Sequence, residues 1–259
     1  MTRLSVNLNK VALLRNQRDL PYPDLIKTAE TVLKAGAHGI TVHPRPDERH
    51  IRQSDIPALS AFLLEYKAPF PSFMMEAEQV KDIEFNIEGY PDEKLMGLVT
   101  AHHCHQVTLV PDTPSQKTSD HGWDIPAKRS FLKDVVLRLK DSGRRVSLFI
   151  DAKPEQAIAA KDVGADRIEL YTGPYALNPA LLPAYIETAR TAKECGLDIN
   201  AGHDLNLDNL AKFIAAIPDC KEVSIGHAIT ADALMMGWSA AVSAYLSAIS
   251  YGQKSKREE

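Results

Sequence analysis

The chain has 259 residues, 44% hydrophobic and 25% charged, with 13 Gly and 16 Pro. These proportions exclude a disordered or collagen-like polymer. Thirty Lys and Arg against 34 Asp and Glu leave a formal charge of −4, which gives no reason to expect nucleic acid or an anionic membrane as partner.

The first predicted strand is RLSVNLN from Arg3, followed by GITVH from Gly39, EFNIEG from Glu84 and QVTLVP from Gln106. The second half continues with RVSLFIDA from Arg145, RIELYTG from Arg167, LDINAGH from Leu197 and EVSIGHAI from Glu222. Short Val/Ile/Leu-rich runs of this kind suit strands buried on both faces of a parallel sheet. Helical periodicity follows each strand. Leu25, Ala29, Val32 and Leu33 share one face of the first helix, and Ser54 or Asp55 caps the second. Later helices are predicted over 92–104, 130–142, 155–163, 179–195, 207–217 and 231–251.

One junction recurs. KAGAHGI, KDSGRRV, KDVGADRI and KECGLDI each place Lys in a last helical turn, then Gly36, Gly143, Gly164 or Gly196, then an apolar strand. Glycine just past a helix end accepts the left-handed conformation, and Lys complements the negative end of the helix dipole. Repeated βα units of this size predict an α/β fold, a single-domain TIM (β/α)8 barrel over residues 1–252, with a disordered tail over 253–259. A doubly wound open sheet is the alternative, weakened because no GxGxxG turn follows the first strand. Two stretches interrupt the rhythm: residues 67–82, and a long loop over 112–128 that would lie at the barrel mouth and serve as a lid.

No apolar run approaches the ~20 residues that span a bilayer. The N-terminus lacks a signal-peptide pattern, and Cys104, Cys195 and Cys220 are too few and too scattered for a disulfide framework. The cytoplasm is the expected location.

Polar groups collect at the predicted strand ends: Asn7 and Asn9, His43 and Arg45, Glu88, Asp151, Glu169 and Thr172, Asn200 and His203, Gly226 and His227. Strand starts read as poorer in such groups. In a TIM barrel the C-terminal strand ends share one mouth, where catalysis takes place. ITVHPRPDERH packs two His and two Arg after the second strand; His exchanges protons near neutral pH and Arg forks onto phosphate or carboxylate. The Gly226–His227 turn leads straight into a helix, whose free N–H groups are suited to phosphate. HHCH (102–105) invites a metal reading, but its side chains point in different directions on the face opposite the mouth, so a structural or surface role is expected. Lys153 reads as a solvated helix-start lysine in preference to a Schiff-base lysine. Leu234, Met235, Met236 and Trp238 mark the last helix as a core or oligomer face.

VNLNKVALLRNQR, ITVHPRPDERHI, EFNIEG, SLFIDA, IELYTG, NAGH and IGHAI occur in that order over almost the whole chain. Together they resemble the pyridoxine 5′-phosphate synthase family. The resemblance implies a TIM barrel, typically a homo-octamer, that needs neither metal nor organic cofactor. It implies two small phosphorylated substrates, 3-amino-2-oxopropyl phosphate and 1-deoxy-D-xylulose 5-phosphate, condensed to pyridoxine 5′-phosphate with release of phosphate and water. By the same resemblance His43 and Glu88 are proton acceptors, His203 a proton donor, and Glu169 a stabiliser of charged intermediates. Asn7 holds the aminoketone phosphate, with Gly226 and His227 as its nest. Arg18, Arg45, His50 and Thr118 hold the deoxyxylulose phosphate.

Three features depart from the family pattern. Asn9-Lys10 stands where Asp-His is common, Asp204 follows His203 where Gly is common, and the stretch before Glu88 is longer. Asn9 and Asp204 are therefore expected to meet ligand through their backbone. Two other classes are weighed against this reading. A non-catalytic phosphate-binding barrel would keep the Gly-His turns without needing Glu88 or His43. A metal-dependent barrel hydrolase would use His43, His203 and His227 as ligands.

Overall fold

The computed structural model describes residues 1–18, 20–66, 83–113 and 116–255; the stretch 67–82 singled out above lies outside them. In chain order β1 (Arg3–Asn7) leads through α1 (Asn9–Arg15) and α2 (Leu25–Lys34) to β2 (Gly39–Val42). Then come α3 (Asp55–Glu65), β3 (Glu84–Gly89), α4 (Glu93–Ala101), β4 (Gln106–Leu109) and α5 (Arg129–Asp141). Next are β5 (Arg145–Ile150), α6 (Pro154–Asp162), β6 (Arg167–Tyr171), α7 (Gly173–Leu177) and α8 (Leu182–Glu194). The chain finishes with β7 (Asp198–Gly202), α9 (Leu210–Ala216), β8 (Cys220–Ile225), α10 (His227–Met236) and α11 (Trp238–Ser255). All strand pairings are parallel and the sheet closes on itself, Leu4 of β1 lying opposite Val223 of β8. The predicted TIM barrel is the observed fold.

The sequence signals work as local physics says they should. The four junction glycines all have positive φ, from +71° at Gly196 to +105° at Gly36. The α2 face of Leu25, Ala29, Val32 and Leu33 is buried. Asp24 and Asp92 cap α2 and α4, accepting the N–H groups of Lys27 and Leu95 at 2.9 and 2.8 Å.

Five local expectations change. The first strand stops at Asn7, and Asn9 opens an unpredicted helix, α1. The single helix expected over 231–251 is two, broken at Gly237, whose φ of +82° ends α10. Helix α11 runs on through residues 253–255, assigned above to a tail, and Gln253 donates to the Thr2 hydroxyl at 3.0 Å. Ser54 stands at the α3 cap position without a side-chain cap bond, while Asp55 accepts the Arg52 N–H at 2.7 Å.

The fifth change concerns the strands. Both faces are buried, but only the outer one, under the helices, is apolar. Leu4, Val6, Phe85, Ile87, Leu148 and Ile168 belong to this outer set and are fully buried. Apart from Val110 and Phe149 near the mouth, the inward residues named here are polar and bond to neighbouring strands within the lumen: Ser5 to Thr41 at 2.7 Å, Thr108 to Asn86 at 3.1 Å, Arg145 to Gln106 at 3.0 Å. Strand starts, read above as poor in polar groups, carry a charged cluster. Arg145 of β5 pairs with Glu84 of β3, and Arg167 of β6 lies 3.6 Å from the same carboxylate. Strands β3 and β5 are not neighbours, so this ion pair must form inside the barrel. Buried charge persists because each group has a partner.

Candidate active site

The ends of the first three strands are stitched together by two asparagines. Asn7 Oδ1 accepts the Asn9 N–H at 2.9 Å, and Asn7 Nδ2 donates to Glu88 Oε2 at 3.3 Å. Asn9 Oδ1 accepts the His43 N–H at 2.9 Å. The Asn9 side chain and the Asn9 N–H are thus both bonded within the protein, so the ligand contact expected through its backbone amide has no open donor here.

Helix α1 then fixes the loop after β2. Arg15 forks onto Asp55 at 2.7 and 2.9 Å, and Asn16 Nδ2 reaches the carbonyls of Glu48, Arg49 and His50 at 3.2, 3.3 and 2.7 Å. His50 Nδ1 accepts the Ile51 N–H at 2.9 Å, so its other nitrogen is the one left for a ligand. The rings of His43 and His50 stand edge to face, 6.1 Å apart. Arg45 pairs with the buried Asp112 and donates to the Gln116 carbonyl at 3.1 Å.

Burial sets the protonation of the interior groups. It holds His43 well below the ordinary imidazole range, with the charges of Arg45, His50 and Arg49 adding to the effect. Burial, with Arg45 next, also lowers His50 to about 4. The Glu88 carboxyl is pushed up to about 8 by burial and then by Asp112 and Glu222. Glu169 is raised well above its usual range by burial and by the neighbouring Glu88. Near neutral pH the cluster therefore holds a neutral His43, a Glu88 close to its titration point and, beside it, a Glu169 whose ionisation burial and Glu88 disfavour. Gly202 makes room for Glu169, since a Cβ there would sit 2.3 Å from Glu169 Oε1.

The turn after β7 carries His203 and Asp204, joined by a 2.9 Å contact between Nδ1 and Oδ2. The Thr118 hydroxyl lies 3.0 Å from His203 Nε2, bringing the long loop over the mouth. Gly226 stands at the N-cap of the ten-residue α10 without a side-chain cap. A Cβ on Gly226 would lie 3.1 Å from Asn7 Cβ.

All but one of the residues given a catalytic or substrate-binding role above converge on a single cavity of about 470 Å³ at the C-terminal end of the barrel, whereas the strand-end groups Asp151, Thr172 and Asn200 are not in its lining. The exception is Arg18, which lines a separate cleft with Arg52 and Asp24. The cavity also includes Lys10, Arg49 and Lys117, three cations that sequence reading did not single out as ligand contacts. Arg49 lay within the quoted His/Arg motif, and Lys10 was visible only as a departure from family pattern. Asp112, buried behind the cavity wall, carried no sequence signal.

Other candidate groups lie elsewhere. His105 Nδ1 accepts the Phe85 N–H at 3.0 Å, a structural contact at the opposite end of the barrel. Among the described residues no three His, Cys, Asp or Glu side chains are placed to hold a metal ion. Lys153 is exposed, 3.5 Å from Asp151. All three cysteines are free, and no described helix is long and apolar enough to cross a membrane.

Comparison with known proteins extends this picture. The chain is similar to pyridoxine 5′-phosphate synthases of Albidiferax ferrireducens (50% identity over 97% of this chain and 99% of the relative) and Mesorhizobium japonicum (49%, over 95% and 98%). The relative from Brucella anthropi is 48% identical over 95% of this chain and 98% of its own length. Among solved structures, tryptophan synthase subunit alpha from Legionella pneumophila superposes with a TM-score of 0.63 at 16% identity, covering 96% of this chain and 93% of that one. That likeness shows the barrel alone. The family described as "Pyridoxal phosphate biosynthesis protein PdxJ" matches residues 4–251. With relatives of this similarity along nearly its full length, the chain belongs to the PdxJ family.

Proposed function

We propose that this protein is a pyridoxine 5′-phosphate synthase, condensing 3-amino-2-oxopropyl phosphate with 1-deoxy-D-xylulose 5-phosphate and releasing phosphate and water. The observation that carries the reading is the convergence of His43, Glu88, Glu169 and His203 on one cavity, in a chain of the PdxJ family. Joining an amine to a ketone, losing water and closing an aromatic ring requires repeated proton transfers, and groups of differing basicity around one cavity can alternate in them.

In this reading the neutral His43 and Glu88 accept protons, Glu88 being poised near neutrality by its raised pKa of about 8. His203 donates a proton. Glu169, whose proton is held more tightly because burial and Glu88 disfavour its ionisation, donates a hydrogen bond to negative charge as it develops. Arg45, His50 and Thr118 hold the deoxyxylulose phosphate. Asn7 and the backbone N–H groups at Gly226 and His227 hold the other phosphate, with an amide contact from Asp204. Arg18, remote within one chain, belongs to this set only if subunits assemble to bring it to a mouth. The protein is proposed to act in the cytoplasm as a homo-octamer; Leu234 and Met235 on α10 are 72% and 88% exposed, apolar surface that subunit contact would cover.

The test is incubation of EDTA-treated protein with both substrates. Formation of pyridoxine 5′-phosphate with stoichiometric phosphate is expected, and its absence from folded protein overturns the assignment. Light scattering reads the assembly state in the same preparation.

A further inference from the structure

We propose that Asp204 is a positioning residue for His203, fixing the ring and its tautomer so that Nε2 is the nitrogen presented to substrate. The proposal rests on the reading of His203 as the proton donor.

A carboxylate only accepts hydrogen bonds. The 2.9 Å contact between Asp204 Oδ2 and His203 Nδ1 therefore places a proton on Nδ1. That bond is also the main reason the Asp204 carboxyl is held below its usual range, with the charges of His203, His227 and Lys10 assisting against burial. With Nδ1–H held by Asp204, Nε2 is left facing the cavity, 3.0 Å from the Thr118 hydroxyl; the proton His203 donates is then the second one, carried on Nε2 of the imidazolium, whose positive charge the adjacent carboxylate offsets. The ring plane is set independently by Tyr171, whose ring meets it edge to face at 5.1 Å. An imidazole with one nitrogen and one face held has little freedom to turn away.

The backbone adds a second line of support. His203 and Asp204 both have positive φ, +87° and +59°, a region that residues bearing a Cβ enter at a cost. Glycine would occupy position 204 without that cost. The turn is instead anchored from outside: the Thr172 hydroxyl lies 2.6 Å from the carbonyls of Gly202 and His203, and Asn209 Nδ2 donates to the Asp204 carbonyl at 3.2 Å. A strained conformation held around a side chain that bonds a reacting group is the pattern expected when the side chain has work to do.

The experiment compares Asp204→Gly, Asp204→Asn and His203→Gln in the assembled enzyme. Steady-state kinetics, thermal melting and nitrogen-15 NMR of labelled histidine are read for each. Asp204→Gly is expected to lower kcat about tenfold, the loss of one hydrogen bond to a charged group. Its KM values should stay within about twofold, and its melting temperature should not fall, because the left-handed strain is relieved. The neutral His203 ring should move from the Nδ1–H toward the Nε2–H form. Asp204→Asn keeps an oxygen acceptor and should recover most of the lost turnover and the wild-type tautomer. An unchanged tautomer or unchanged kcat in Asp204→Gly overturns the proposal. So does a kcat loss accompanied by raised KM and lowered melting temperature, the signature of a structural or substrate-contact role. His203→Gln separates the two readings: near-wild-type turnover there removes His203 as donor, whereas low turnover there with an indifferent Asp204→Gly removes only Asp204.

Discussion

Arg45 and Asp112 form an ion pair at the barrel mouth in which both side chains are 5% exposed, and the same Asp112 oxygen lies 2.8 Å from Ser119 Oγ and 3.8 Å from His43 Nε2. The arginine proposed to take a substrate phosphate is thus already neutralised by an internal carboxylate. An incoming phosphate competes with Asp112 for it.

Asp112→Asn should therefore have two opposite effects. Breaking a buried pair from one side destabilises a protein by ~3–5 kcal/mol; Asn keeps a carbonyl for the guanidinium, so the lower end is expected. Inorganic phosphate should bind about tenfold more tightly, since it regains a free cation. Melting in phosphate-free buffer and calorimetric titration of phosphate read the two effects. Weaker phosphate binding in a folded variant would show that Asp112 supports the site instead of competing for it.

Arg45→Ala should chiefly raise the KM for deoxyxylulose phosphate, by ~10-fold or more, as loss of a charge-assisted fork implies. Turnover at saturation should change less. Initial-rate kinetics with the aminoketone held saturating decide it, and an unchanged constant would place the phosphate elsewhere.

His43→Asn and Glu88→Gln should each lower kcat by ~10²–10⁴ while leaving phosphate binding nearly unchanged, as loss of a proton acceptor does. The fold should survive both. His43 is held through its backbone N–H by Asn9, and a glutamine at position 88 keeps an oxygen for the amide of Asn7. Near-wild-type turnover in both variants removes them from the chemistry.

Glu88 also makes stability depend on pH. Below its ordinary value of 4.5 the carboxyl is protonated whether the chain is folded or not. As pH rises from there to about 8, the unfolded chain releases that proton and the native protein retains it, so native stability falls relative to a variant lacking the group. The melting-temperature advantage of Glu88→Gln over wild type should widen between pH 5 and pH 8, by ~3 °C or more, and level off above. A constant gap would mean that Glu88 is ionised throughout.

All eight strands were legible because the chain marks their approach chemically. The four glycines at positive φ stand where a helix must stop, and each strand carries enough branched apolar residues to declare itself. Helix α1 was not legible. No Gly or Pro separates β1 from Val11 and Ala12, so nothing in the chain marks where the strand ends and a helix begins. The polar lumen was missed for a related reason: alternation usually separates core from solvent, whereas here it separates two buried environments. The residues that line the cavity, Arg18 apart, could be picked out from strand ends and family resemblance, but their coupling could not. Asp112 joins Arg45 across 67 residues of chain, a relationship that spacing does not encode. Gly226 shows the same limit. Its sequence marks a turn suited to phosphate but not that a Cβ there would press on Asn7, which holds both Asn9 and Glu88.

The closing seam of the barrel has a consequence for synthesis. Strand β1 finds its second partner only in β8, and the Thr2 hydroxyl reaches the Cys220 carbonyl across a separation of 218 residues. At ~5–20 residues per second, a ribosome that has released β1 needs on the order of 10–40 s to deliver β8. For that interval the nascent chain carries an unpaired strand edge, the kind of surface that recruits other strands. Closure is thus among the last folding events open to the chain, and a polypeptide halted short of residue 225 keeps two sticky edges where the finished protein has none.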